Sequence, residues 1–163
     1  SESVSPDDVT FMCVLSACGH SGLLDDAQVL FEDMTRKYEI SPNYEHHICM
    51  IRAFGRAGYF DKAMSLIKVM PCSDYPPLWL ALLGACKKWG NLELARLAFH
   101  QVVQLDYNSA TAYVLMANIY ADAGMQEDAD RVSSTNHNFV KYKAVDIIDH
   151  FLEDIDSNLY IFK

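Results

Sequence analysis

The sequence predicts an all-α fold, a right-handed α-solenoid of antiparallel helix-turn-helix repeats followed by a C-terminal amphipathic helix, on three observations. A glycine, an acidic residue three positions on and an alanine two further on recur as Gly22-Asp25-Ala27, Gly58-Asp61-Ala63, Gly90-Glu93-Ala95 and Gly124-Glu127-Ala129. The copies stand 36, 32 and 34 residues apart, the period of solenoids built from helix pairs. Turn residues keep the same beat, with Ser5-Pro6-Asp7 and Ser41-Pro42-Asn43 standing 36 apart. The composition, 51% hydrophobic and 21% charged with 5 Pro, is that of a chain able to bury a core.

Each repeat explains its own pair of helices. The glycine permits a left-handed C-cap, the acid meets the positive end of the next helix, and the alanine lets two helices approach closely. Asp7 and Asn43 open the first helices of repeats one and two, Pro76-Pro77 that of repeat three and Asn108-Ser109 that of repeat four. Pro71 closes repeat two. Helices are therefore expected over 8–19, 25–37, 44–55, 60–70, 77–88, 92–105, 109–122 and 127–133. Beyond them Ala144, Ile147, Ile148, Phe151, Leu152 and Ile155 share one helical face, with acidic residues mostly opposite. That ninth helix is expected to cap the last apolar face of the solenoid.

Thirteen basic against 22 acidic residues give a net charge of −9, which disfavours nonspecific gripping of phosphate backbones and confines any nucleic-acid contact to a local patch. The charge is −4 over residues 1–71, zero over 72–120 and −5 over 121–163. Five cysteines at 13, 18, 49, 72 and 86 form no framework spacing, so reduced thiols at buried helix positions are expected. No apolar run is long enough to span a membrane. The chain opens Ser-Glu-Ser without Met and is read as a piece of a longer protein, uninformative about targeting.

The residues also carry a resemblance. Repeat one, running from Pro6 through Phe11-Met-Cys-Val-Leu-Ser-Ala-Cys-Gly-His20 to Ala27 and Phe31-Glu-Asp-Met34, resembles the last long-type repeat of plant pentatricopeptide repeat proteins of the PLS class. Repeat two, with Glu45-His46, Cys49-Met50, Gly55-Arg-Ala-Gly58 and Met70-Pro71, is similar to the short-type repeat that follows. Trp79-Leu-Ala-Leu-Leu-Gly-Ala-Cys86, Gly90-Asn-Leu-Glu-Leu-Ala95 and Tyr113-Val-Leu-Met-Ala-Asn-Ile-Tyr-Ala121 are similar to the E domain, a pair of tetratricopeptide-like motifs. The implied organisation is two repeats over 5–71, an E domain over 72–132 and a divergent acidic tail over 133–163, where the family's basic and Gly-rich extension is replaced.

The resemblance implies the C-terminal part of a site-specific C-to-U RNA-editing factor of the mitochondrion or chloroplast. Its partners would be single-stranded organellar RNA, held together with upstream repeats, and a cytidine deaminase or editing cofactor acting in trans. It also implies that base choice rests on the fifth and last residues of each repeat, here Met12 with Asn43 and Ile48 with Tyr75. Only Asn43 has the donor and acceptor pair suited to reading a base edge. Arg52, Arg56, Lys87 and Lys88 are further RNA-contact candidates, with Trp89 and Tyr75 as stacking platforms. The alternative is a tetratricopeptide-like scaffold that binds protein alone. Its docking surface would fall in the near-neutral stretch 72–120, where Tyr113, Met116, Asn118 and Tyr120 are repeat core first. Self-association through an exposed solenoid end is a further expectation.

No catalytic or cofactor constellation is expected. A cytidine deaminase needs His-x-Glu and Cys-x-x-Cys to hold zinc and shuttle a proton, and neither occurs in the chain. The densest ligand set, His46-His47-x-Cys49 with Cys18 and His20, is not read as a metal site, because 46, 47 and 49 leave one helix in different directions. Trp79 and Leu82 open a tetratricopeptide-like pattern on which Ala95 and Phe99 are expected to pack.

Overall fold

The computed structural model describes residues 5–70 and 74–138 and contains helices α1 (Asp8–Ser21), α2 (Leu24–Arg36), α3 (Tyr44–Ala57), α4 (Phe60–Val69), α5 (Pro76–Trp89), α6 (Leu92–Leu105), α7 (Ala110–Asp122) and α8 (Gln126–Asn138). No strand occurs among the described residues, and the helical-repeat class read from the 34-residue period is the class observed. The one large boundary difference is at α8, which continues to Asn138 instead of stopping at residue 133. The Thr135 hydroxyl donates to the Arg131 carbonyl one turn back at 2.9 Å, so its polar atom is satisfied inside the helix. Pro71 and the expected ninth helix lie outside the described residues.

The punctuation works as the spacing required. Gly22, Gly58, Gly90 and Gly124 all have positive φ, between 65° and 80°, the left-handed turn that an L side chain adopts only with strain. The alanines of the repeat, Ala27, Ala63, Ala95 and Ala129, are all buried. Asp7 and Asn43 are equivalent N-caps: Asp7 Oδ1 accepts from the Thr10 N–H at 2.8 Å, and Asn43 Oδ1 accepts from the Glu45 and His46 N–H groups at 3.0 and 3.2 Å. The bonds from Thr10, side chain first, hold the Asp7 carboxyl below its usual range. This capping contribution is present above the ordinary aspartate value and is lost as pH falls through the lower, folded one.

The helices form two compact units divided between Ala85 and Cys86, within α5. In the first, α1 packs on α2 and α3, and α3 packs on α4, around a core that includes Phe11, Leu15, Met34, Ile51, Phe54 and Ile67. Consecutive first helices meet through a repeated small-residue contact. A Cβ on Gly19 would lie 3.0 Å from the Ala53 Cβ, and one on Gly55, 36 residues later, would lie 2.5 Å from the Ala85 Cβ. Lys62 of α4 clips the repeats together, donating to Gln28 of α2 at 3.3 Å while its ammonium lies 5.4 and 5.5 Å from the Phe54 and Tyr59 rings. In the second unit, α7 packs on α6 and α8. The Phe99 and Tyr113 rings meet edge to face at 5.2 Å, and the Arg96 guanidinium lies over the buried Tyr120 ring.

Gly55 gives a sharp test of the small-residue contact. Alanine is the better helix former by about 1 kcal/mol, so on propensity Gly55→Ala should stabilise. The expected result is a net loss of about 1–2 kcal/mol in denaturant unfolding, because the new methyl must push α3 away from α5. A stability gain would mean that the two helices separate freely.

Candidate functional site

The 36-residue offset between repeats one and two sets equivalent side chains of α1 and α3 side by side. Met12 corresponds to Ile48, Cys13 to Cys49, Ser16 to Arg52 and His20 to Arg56. The tight Gly19–Ala53 approach leaves a groove of about 170 Å³ lined by Ser16, Gly19 and His20 of α1 and by Cys49, Arg52, Ala53 and Arg56 of α3. Both arginines are exposed at its edge. The groove thus offers two guanidinium groups, an imidazole and a hydroxyl over a small-residue floor, a set that suits an oxyanion such as phosphate.

His20 fixes the local geometry. Its Nδ1 lies 2.7 Å from the Ser16 carbonyl, and its Nε2 lies 3.1 Å from Arg56 Nη2. A carbonyl only accepts and a guanidinium only donates, so Nδ1–H donates to Ser16 and Nε2 accepts from Arg56. The Cys49 thiol points to the Met12 carbonyl at 4.0 Å. Burial pushes this thiol upward, the neighbouring Arg52 opposing with a smaller effect. Cys86 is pushed up to about 12 by burial, so both thiols are protonated, weak nucleophiles at neutral pH. The four described cysteines are free thiols, and Cys13 departs from the expectation of burial by lying exposed on α1.

The sequence-expected RNA contacts divide. Arg52 and Arg56 come together in the groove, whereas Met12, half-buried, does not line it and meets the groove-lining Cys49 thiol only through its backbone carbonyl. Asn43 is exposed, with its Oδ1 engaged in capping α3. Tyr75 is half-buried, its ring 4.9 Å from that of Tyr44 and its hydroxyl 3.4 Å from a Glu45 carboxylate oxygen. Ile48 is 3% exposed; this fifth-position side chain is core and is corrected out of the surface set. Lys87 and Lys88 are exposed at the end of α5 in the second unit, and the Lys88 ammonium lies 5.2 Å from the centre of the Trp89 ring, which is 52% exposed. Tyr113, Met116 and Tyr120 are buried, whereas Asn118 is exposed.

The histidine-cysteine set does not converge. His46 is buried, donating from Nε2 to the Asp8 carbonyl at 2.8 Å while Nδ1 faces Asn43. His47 turns to the Asn43 carbonyl at 2.8 Å and packs its ring on Phe31, and Cys49 faces Met12. Among the described residues no three His, Cys, Asp or Glu side chains are grouped to hold a metal ion. No helix among them is long and apolar enough to cross a membrane. The sequence reading considered His20 only as a metal ligand and missed its pairing with Arg56. The 36-residue register was the available signal.

Comparison with known proteins follows the same divisions. The PPR repeat model matches residues 9–38 and 47–75, and the E motif model matches residues 89–141. A putative mitochondrial pentatricopeptide repeat-containing protein of Arabidopsis thaliana is 45% identical over 79% of this chain and 21% of its own length. The chloroplastic pentatricopeptide repeat-containing protein CRR2 of Arabidopsis thaliana is 41% identical over 78% of this chain and 20% of its own. Another mitochondrial pentatricopeptide repeat-containing protein of that plant is 37% identical over 87% of this chain and 23% of its own. The chain thus spans about a fifth to a quarter of the length of these relatives.

Proposed function

The chain belongs to the pentatricopeptide repeat family, and from that premise we propose that it forms part of a site-specific organellar C-to-U RNA-editing factor. In this role it contributes weak contact to single-stranded RNA and recruits a cytidine deaminase or editing cofactor. The observation that carries the reading is the order of the matched segments, two repeats and then an E motif, together with the basic groove between the first helices of those repeats. The mitochondrial and chloroplastic names of the relatives support the organellar assignment.

Residues 5–71 act as the RNA-tracking pair of repeats, residues 72–132 as the recruiting E domain and residues 133–163 as the divergent tail. Arg52 and Arg56 hold phosphate. Met12, Asn43 and Tyr75 border the bases, with Asn43 offering its carboxamide nitrogen, and Lys87 and Lys88 supply a second basic site. These 163 residues contain neither the His-x-Glu nor the Cys-x-x-Cys signature, so in this reading the deamination is carried out by residues outside them.

An anisotropy titration of the chain with a pool of short single-stranded RNAs, at low and near-physiological salt, tests this reading. The expected result is binding that weakens with salt along a shallow slope, a few phosphate contacts' worth. Failure to bind even at low salt would favour the tetratricopeptide-like protein scaffold, to which the net charge of −9 and the buried Ile48 point.

A further inference from the structure

The His20–Arg56 pair has a property that neither residue has alone. Because Nε2 of His20 accepts from Arg56 while Nδ1–H is committed to the Ser16 carbonyl, the pair exists only with a neutral imidazole. A proton on Nε2 replaces the accepting lone pair with an N–H and sets two cations about 3 Å apart. A phosphate oxygen reverses that conflict, since it accepts from imidazolium and guanidinium together. We infer that phosphate binding in the groove between α1 and α3 is coupled to uptake of one proton by His20, so that lowering the pH strengthens the hold on a phosphodiester. This rests on the RNA-binding reading above and adds a regulatory element to the same site.

The surroundings do not supply a competing switch. The other titratable or charged groups lining the groove are Cys49, Arg52 and Arg56, all from α3. Burial keeps the Cys49 thiol protonated, and the arginines stay charged throughout. On the α2 side, the carboxylates that follow the Gly22 turn are Asp25 and Asp26, in the first turn of α2. The register explains why the device sits here: equivalent positions of two repeats hold an imidazole and a guanidinium, 36 residues apart and in hydrogen-bond contact.

The test uses two probes on the full chain, a short oligouridylate, whose bases take up no proton in this range, and inorganic pyrophosphate. Between about pH 8 and about pH 6, the span over which histidines in general take up a proton, wild-type affinity for oligouridylate is expected to rise about three- to tenfold. His20→Gln, whose amide can replace both neutral contacts but takes up no proton, should lose the rise whatever its affinity at the higher pH, the slope of affinity against pH being the readout. In NMR titrations pyrophosphate should raise the midpoint of the His20 ring resonances. Oligouridylate binding with the same pH dependence in His20→Gln as in wild type would overturn the coupling and leave the RNA reading intact. A His20 midpoint raised by pyrophosphate without any oligouridylate binding would uphold the coupling and sink the RNA reading. An unmoved midpoint with no binding would end both.

Discussion

Replacing Arg52 and Arg56 together by Glu is expected to weaken binding of a short single-stranded RNA by about a hundredfold or more at low salt. Both side chains stand exposed at the edge of one groove, where two phosphate contacts become two like-charge repulsions. The chain's charge of −9 makes the loss harder to recover elsewhere, because the long-range field already opposes an RNA strand. The fold should be indifferent. Exposed substitutions of this kind usually change stability by less than about 0.5 kcal/mol, so thermal unfolding of the double variant checks that the lost binding is local. The slope of log affinity against log salt should also flatten by about 1.4, that is by two phosphate contacts at about 0.7 each on a single strand. Unchanged affinity in Arg52→Glu/Arg56→Glu would move the RNA contact to the Lys87–Lys88 end of α5. Replacing those lysines in turn would then show whether RNA touches the chain at all.

The helical skeleton was legible because its signals are local and periodic. Gly22, Gly58, Gly90 and Gly124 each stand where only a positive φ closes the turn, and the acid and alanine that follow leave few alternatives to a second helix. The site was legible only in part, because proximity between repeats is not a local property. Ser-x-x-x-His in one helix and Arg-x-x-x-Arg in the next look like scattered polar residues until the 36-residue offset is applied. They then stand face to face across the Gly19–Ala53 contact. Ile48 illustrates the converse. Position within the repeat nominated it for RNA, but its neighbours Met50, Ile51 and Phe54 are also buried, and an unbranched polar alternative at that place would leave a gap in the same core. Asn43 was nominated for base reading on its chemistry. That same chemistry makes it an N-cap, and one carboxamide oxygen receives two backbone N–H groups at the start of α3.

His46 is the residue through which this cap reaches the preceding repeat, and His46→Ala is expected to cost about 3 kcal/mol in equilibrium unfolding. The ring is 1% exposed and donates from Nε2 to the Asp8 carbonyl, 38 residues away on α1. Its Nδ1 lies 3.2 Å from the Asn43 backbone nitrogen and 2.7 Å from Asn43 Oδ1, so ring and N-cap form a capping box at the start of α3. Truncation therefore opens a cavity between α1 and α3 and removes the partners of two backbone groups at once. Two further variants separate these causes. His46→Gln keeps an acceptor for the Asn43 N–H, since Gln is a usual capping-box partner at this position, and should cost about 1 kcal/mol. His46→Phe fills the volume but satisfies neither backbone group, and should fall between Gln and Ala. Stability of His46→Phe equal to wild type would show that the histidine is packing alone. A cost below about 1 kcal/mol for His46→Ala would remove the cross-helix bond from the account of how repeat two is held against repeat one. Since Arg52 and Arg56 lie farther along the same α3, the looser variants should also bind RNA less well as the groove widens. That loss should track stability and not charge.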